Sequence, residues 1–430
     1  MRLNLANLNR APPALRPAYD PARIALGMVH LGLGAFHRAH LAMFTDDAIA
    51  LEHGDWGILG VSMRKPDVAA SLEPQDGLYT VEQLDSRPSY RIVGAVRALA
   101  TLPLAPERVV AAIASPAIHI VTLTVTEKGY CLAGGDLDFA HPEIVHDLSA
   151  PHAPRSAAGV LVAGLAARRA AGAGPITVIS CDNLLENGPV LRRAILALAE
   201  RIDPGLAGWI DGNAAFPETM VDSIVPASTP DSRRRVEQAI GLEDLASVQR
   251  EPFAQWVIED RFAGPRPAWD KVGAEIVPSV APFRQLKLHV LNATHSALAY
   301  LGLQAGHRFV REAIADPQLL GFVERLVADE IAPALPALDV RAYWTATKAR
   351  FANPMMDHRL DQIAQDGEFK LAQRIAPLLA ANLRAGLPAA GLIAVVRAWM
   401  DHAGLKPGAE LPAFLNADPL IRSAILSARP

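Results

Sequence analysis

The stretch IALGMVHLGLGAFHRAHLAMFTDDAIA, residues 24–50, decides how the chain begins to fold. Its first part is a short apolar run, its middle holds Gly32 and Gly34, and its remainder reads as a helix. A strand that passes through glycines into a helix opens a βαβ unit. Glycines at such a turn permit a tight bend and bring backbone N–H groups close to a pyrophosphate at the helix start. Here those groups belong to Gly32, Gly34, Ala35 and Phe36. The full dinucleotide fingerprint has a third glycine, and this chain has His37 there, so an ordinary βα turn stays open as the alternative.

Outward from that stretch, apolar runs recur at WGILGVSM (56–63), IHIVTLTVTE (118–127) and ITVISCDN (176–183). Helical stretches such as ERVVAAIA (107–114) and AAGVLVAGLAARRAA (157–171) lie between them. Strands alternating with helices predict a mostly parallel sheet covered on both faces. After about Val280 the character changes. FVREAIA (309–315), PQLLGFVERLVADEIAPAL (317–335), LAQRIAPLLAANLRA (371–385) and GLIAVVRAWMDHAG (391–404) are helical, with no β-branched run of strand length. The expected fold is α/β: a Rossmann-type domain over residues 1–280, then an all-α domain over 281–430.

The second strand ends near Met63 and runs into Arg64-Lys65-Pro66-Asp67. An acid there is placed to hold a ribose diol, which favours NAD with Asp67 as the contact. Arg64 and Lys65 keep NADP open. Polar residues also follow two later strands, Thr126-Glu127-Lys128 and Ser180-Cys181-Asp182-Asn183. Ligands of open α/β sheets bind outside such strand ends; the bland reading of Asp182 or Asn183 is a helix N-cap.

Composition narrows the classes. The chain has 430 residues, 51% of them hydrophobic and 20% charged, with a net charge of −4. That is a compact globular composition with no electrostatic reason to bind nucleic acid or an anionic membrane. Cys131 and Cys181 are the only cysteines, too few for a disulfide framework or a thiolate metal site. Without an H-E-x-x-H element either, no metal is expected. The N-terminus does not read as a signal peptide, so a cytoplasmic protein is expected; monomer and small homo-oligomer both stay open.

A second stretch carries the chemistry: KLHVLNATHSALAYLG, residues 287–302. At 100° per residue, Lys287 lies at about 0°, His295 at about 80° and Asn292 at about 140°, among leucines. A lysine at a helix start meets the positive end of the macrodipole, and apolar neighbours add desolvation; both lower its pKa and suit a general base. Asn292 and His295 offer N–H donors to one small oxygen-bearing group. Together they suit removal of a proton from a secondary alcohol. A snorkelling lysine and a satisfied core histidine are the bland alternatives.

The stretches HLGLGAFHRAH (30–40), QDGLYTVEQL (75–84), VTLTVTEKGYC (121–131), ISCDNLLENG (179–188), FPETMVDSIVP (216–226), EPFAQWVIEDRF (251–262) and KLHVLNATHSALAYLG resemble the polyol-specific long-chain dehydrogenases. That group includes mannitol 2-dehydrogenase and fructuronate reductase (mannonate oxidoreductase). The resemblance implies NAD(H) or NADP(H) on the first domain, a helical second domain and no metal. It implies Lys287 as general base, with Asn292 and His295 as oxyanion and substrate ligands. It also implies Asn183, Asp222 and Lys370 as substrate contacts and Glu127 on a proton path. Pro66-Asp67 stands where NAD-preferring members have Glu-Asp, and Gln362 where mannitol-type members have arginine. The stretch QIAQDGEFKLAQR (362–374) is closer to the sugar-acid members. The expected substrate is therefore a sugar acid or polyol, with D-mannonate/D-fructuronate ahead of D-mannitol/D-fructose. What faces the C1 end of the substrate stays open between a carboxylate partner, such as Arg359 or Arg374, and hydroxyl partners only. A non-catalytic NAD(H)-binding protein is the competing class.

Overall fold

Six runs form the central sheet of the computed structural model: β1 (Leu26–Leu31), β2 (Gly57–Ser62), β3 (Val96–Thr101), β4 (Ile120–Leu123), β5 (Ile176–Ser180) and β6 (Ala214–Ala215). Across the sheet they lie in the order β3-β2-β1-β4-β5-β6, all parallel. This is the doubly wound order: strand order runs outward from β1 in one direction to β2 and β3 and in the other to β4, β5 and β6, and ligands of such sheets bind in the crevice at that switch point. β1, β2, β4 and β5 are buried along almost their whole length.

Their near-complete burial follows from serving two cores at once. Val29 and Leu31 face one core with Leu59, Val61, Val121 and Val178, against helices Pro106–Ala114, Ala157–Ala171 and Asn187–Ile202. Met28, Ile58, Ile120 and Ile179 face the other, with helix Leu41–Glu52 and the indoles of Trp256 and Trp269. Successive side chains point to opposite faces, so alternate residues divide cleanly between the two cores.

Two three-stranded sheets flank this core. One joins Thr219–Asp222, Gln255–Glu259 and Glu275–Val277; the other joins Val248–Arg250, Tyr79–Gln83 and Ser89–Val93. The structure describes residues 1–405 and 411–427. By its contacts the chain divides into Met1–Val280 and Ala281–Pro430. The second unit is helical throughout its described residues, around one core built from Val290, Leu298, Val323, Ile331, Leu360, Leu379 and Val395. Among the described residues, no helix is long and apolar enough to cross a membrane.

Two expected helices differ. The helix after the glycines breaks at His40 (φ −127°, ψ −84°) into Ala35–Ala39 and Leu41–Glu52. The helix bearing Lys287 does not start there. Ala281–Leu286 precedes it, a π turn spans Lys287–Asn292, and Ala293–Gln304 continues it. Lys287 is thus well inside a helical run, and the macrodipole at a helix start no longer acts on it.

Candidate active site

In the N-terminal unit the glycine loop is pinned by three strands. Gly32 N and Leu33 N both donate to Val61 O of β2, at 2.9 and 3.1 Å. Gly32 O accepts from Thr124 Oγ1 at 2.9 Å and lies 3.0 Å from His30 Nε2. A carbonyl only accepts, so His30 carries its proton on Nε2 and takes the Thr122 hydroxyl, 2.8 Å away, on Nδ1. Burial pushes the His30 imidazole down to about 3, so it stays neutral.

Gly32 has φ +100°, and a Cβ there would stand 2.2 Å from Thr124 O. Only glycine fits. At Gly34 a Cβ would find nothing nearer than Gly32 O at 3.8 Å, so the loop opens on that side. Gly32, Gly34, Ala35 and Phe36 are all half-exposed there. This open cradle at the strand-order reversal fits a dinucleotide pyrophosphate. His37, in place of the third glycine, is buried and stacks on His30 with ring centroids 3.4 Å apart. Stacked imidazoles thus take over the helix-to-strand packing that a glycine would otherwise permit.

The other expected residues of this unit gather at the same carboxyl edge. Asp67 is exposed and begins helix Asp67–Leu72 beyond β2. Glu127 is exposed just beyond β4, following Thr126, whose φ of +66° is a strained conformation for a branched residue. Asp182 imposes that conformation: it accepts from Val125 N (3.0 Å), Thr126 N (2.8 Å) and Tyr130 Oη (2.7 Å). Asp182 is therefore a clasp between β4 and β5 and not a helix cap; the next helix starts at Asn187 with Glu186 before it. Asn183 is exposed at the end of β5.

Asp222 is buried at the end of its strand, opposite Gln255. That strand is locked to β5 by Asn187, a residue the sequence reading passed over. Its Nδ2 donates to Asp182 O, Thr219 O and Thr219 Oγ1, and its Oδ1 accepts from Thr219 N. Thr219 Oγ1 donates in turn to Ser180 O at 2.6 Å. The one available signal was Asn187-Gly188: a Cβ on Gly188 would stand 2.7 Å from the carbonyls of Phe216 and Pro217.

Cys131, His141 and Glu143 form a group that could hold a metal ion. Each already has a local role: Cys131 Sγ donates to Glu143 at 3.7 Å, and His141 Nδ1 caps the helix Pro142–Ser149.

In the C-terminal unit the π turn is decisive. Its i→i+5 hydrogen bonds place residues five apart nearly above one another, as i and i+4 are in an α-helix. The angular arithmetic for an α-helix separated Lys287 from Asn292; the wide turn brings them back onto one face. His295, three residues further on in α geometry, joins them. Lys287 and Asn292 are half-buried and His295 is buried.

His295 stacks on Phe351 at 4.9 Å and meets His358 edge-on at 4.8 Å. Burial holds its imidazole well below its usual range, and His358, Arg374, Arg350 and Lys370 push it the same way. It is therefore a neutral N–H donor. Its Nε2 is buried and has no hydrogen-bond partner among the described residues. Such an orphan invites a ligand oxygen.

Lys370 lies on helix Gly367–Arg374, its Nζ donating to Ile363 O at 3.1 Å. Arg374, at the end of that helix, donates from Nη1 to Ser296 Oγ at 3.0 Å and reaches Asn292 O at 3.5 Å. Arg359 instead pairs with Asp361 at the surface. Arg350 and His358 were not singled out from sequence; each lies far from residues 287–295 in the chain.

Residues 26–271 match the mannitol dehydrogenase Rossmann domain, and residues 279–411 the mannitol dehydrogenase C-terminal domain. The chain belongs to the mannitol dehydrogenase family. It is an oxidoreductase of that family. It is 42% identical to D-mannonate oxidoreductase of Escherichia coli (strain K12), over 91% of this chain and 82% of that protein. It is 40% identical to mannitol 2-dehydrogenase of Cereibacter sphaeroides, over 90% and 83%. Its structure is similar to the Pseudomonas fluorescens mannitol 2-dehydrogenase ternary complex with NAD and D-mannitol. That match has a TM-score of 0.85 and 34% identity, over 100% of this chain and 89% of the other.

Proposed function

We propose that this protein is an NAD-dependent dehydrogenase that interconverts a secondary alcohol of an acyclic sugar acid or polyol with its ketone. The substrate pair is D-mannonate/D-fructuronate ahead of D-mannitol/D-fructose. The observation that carries this reading is the helix bearing Lys287, Asn292 and His295, with a π turn over Lys287–Asn292 and a buried His295 Nε2 that has no hydrogen-bond partner among the described residues.

In the oxidative direction Lys287, unprotonated, takes the proton of the substrate hydroxyl. The Asn292 amide and the neutral His295 N–H donate to the oxygen as its charge develops, so the residues themselves can stabilise the alkoxide. NAD, when bound, accepts the hydride leaving the carbinol carbon. Gly32, Gly34, Ala35 and Phe36 would hold its pyrophosphate, and Asp67 its ribose diol. Asn183, Asp222 and Lys370 are the substrate contacts of this reading, and Glu127 is the carboxylate that gates a water or proton path to the lysine. In reduction the same residues run the steps backwards.

The sugar-acid preference is supported by the D-mannonate oxidoreductase relative and by the cations Arg350, Lys370 and Arg374, which all bear on His295. Steady-state oxidation of D-mannonate and D-mannitol, each with NAD and NADP, tests it. The expected order puts D-mannonate with NAD highest in kcat/KM; D-mannitol highest would reverse the substrate assignment.

A further inference from the structure

The segment that follows β4 closes on itself through Asp138. Asp138 N donates to Cys131 O at 2.8 Å, and His141 N donates to Asp138 O at 3.1 Å. Between these contacts Leu132–Ala133 and Asp136–Leu137 pair as a two-stranded hairpin. Cys131 and His141 are thereby brought together from its two ends, and helix Pro142–Ser149 adds Glu143 in its first turn. Cys131 is buried, with φ +53°, a conformation uncommon outside glycine.

One ligand atom from each of Cys131, His141 and Glu143 lies within 4.8 Å of the other two. On a tetrahedral ion with bonds of about 2.0–2.3 Å, neighbouring ligand atoms stand roughly 3.5 Å apart. Cys131 Sγ and Glu143 Oε2 are already 3.7 Å apart. The other carboxylate oxygen, Oε1, faces Arg64 Nη2 at 3.6 Å, so the carboxylate is divided between a guanidinium and the thiol. His141 Nδ1 accepts from Glu143 N at 3.3 Å, a long contact that a stronger one can replace. The carboxylates of Glu143 and Asp147 bear on the thiol against the guanidinium of Arg64, a balance that favours a cation. Asp147 accepts from Arg155 N, Ser156 N and Ser156 Oγ, so it contributes charge and is not counted as a ligand.

We propose that Cys131, His141 and Glu143 form a binding site in the N-terminal unit for one divalent cation of zinc's class. A thiolate, an imidazole and a carboxylate suit a borderline-soft ion, whereas magnesium and calcium take oxygen ligands. One thiolate with nitrogen and oxygen partners builds what two cysteines alone could not. Three protein ligands leave a fourth position to water. On binding, the thiol releases its proton to solvent, and its sulfur exchanges the hydrogen bond to Glu143 for a bond to the ion. Arg64 stays on the outer carboxylate oxygen and holds its orientation. The ion clamps the hairpin to the helix start. The site stands independently of the dehydrogenase reading, and the ion is given no part in the reaction.

The test uses the full chain, free of any affinity tag and stripped of metal with a chelator. Zn²⁺ titrated by calorimetry should bind at one ion per chain, with a Kd below about 1 μM. Co²⁺ should give a sulfur-to-metal charge-transfer band in the near ultraviolet, and Cys131→Ser should remove it. Cys131→Ser and Glu143→Gln should each weaken Zn²⁺ binding by at least about tenfold. Zn²⁺ should also raise the thermal midpoint of the wild type but not of Cys131→Ser. No uptake of Zn²⁺, uptake unchanged in both variants, or a Co²⁺ complex without the sulfur band would overturn the proposal and leave the group as a hydrogen-bonded helix start. If Cys131→Ser does not fold, Glu143→Gln, whose side chain is partly exposed, carries the comparison.

Discussion

Replacing Lys287 by alanine is expected to lower turnover by about 10²–10⁴-fold, the usual contribution of a positioned general base. Binding of NADH should be nearly intact, because the residues proposed to hold the dinucleotide belong to the N-terminal unit. The fold should tolerate the change, since Lys287 is half-buried and alanine is a strong helix former. The π turn makes the result diagnostic. Structural loss at this turn would also disturb Asn292 and His295, and would appear as a lower thermal midpoint. Loss of the base alone would leave the midpoint in place. A Lys287→Ala enzyme that keeps more than about a tenth of wild-type turnover would show that another group takes the proton.

Gly32→Ala and Gly34→Ala should separate the two tasks of the glycine loop. At Gly32 an alanine meets φ +100° and a backbone carbonyl oxygen 2.2 Å from its Cβ. That carbonyl belongs to Thr124, whose own hydroxyl is bonded back to Gly32 O, so neither side yields cheaply. The expected cost is roughly 3–5 kcal/mol of stability, with failure to accumulate folded protein as the alternative outcome. At Gly34 the backbone sits at φ −89°, ψ −176°, ordinary for any residue, and the added methyl meets only Gly32 O, at an ordinary contact distance of 3.8 Å. Stability should change by less than about 0.5 kcal/mol. Dinucleotide affinity should still fall at least about tenfold, because the methyl occupies the cradle. Denaturant melts and NADH titration of both variants check this. Unaltered NADH affinity in Gly34→Ala would place the pyrophosphate elsewhere.

The fold was legible where its signal was local. β1, β2, β4 and β5 are predominantly apolar runs because each serves two cores. β3 escaped notice because VRALAT lies at the sheet edge, partly exposed and carrying Arg97, so neither a solid run nor a clean alternation marks it. β6 has two residues and no pattern to read. The flanking sheets pair strands far apart in the chain, Val248–Arg250 with Tyr79–Gln83 for example, which no local window reveals.

At the site, spacing alone identified Lys287, Asn292 and His295 but gave their arrangement incorrectly. Counting at 100° per residue assumes an α-helix throughout, and the π turn lies at the very residues being counted. Pro282 was a usable warning: proline favours the first turn of a helix and so marks a start upstream of Lys287. Asp182 read as a cap because aspartate before a helix usually is one; here its carboxylate has been taken by two amides beyond β4 and by Tyr130. Clasps such as Asn187 to Thr219, or Arg374 to Ser296, join residues distant in sequence and become visible only in the folded chain.

The most direct test of the central claim follows one hydrogen. The wild-type enzyme would be incubated with NAD and D-mannonate deuterated at its secondary carbinol carbons, and the reduced cofactor analysed by mass spectrometry. A single deuterium transferred to the nicotinamide, in step with ketone formation, is the predicted result. No reduced cofactor from this substrate, from D-mannitol or from any other aldonate or polyol, with either NAD or NADP, would contradict it.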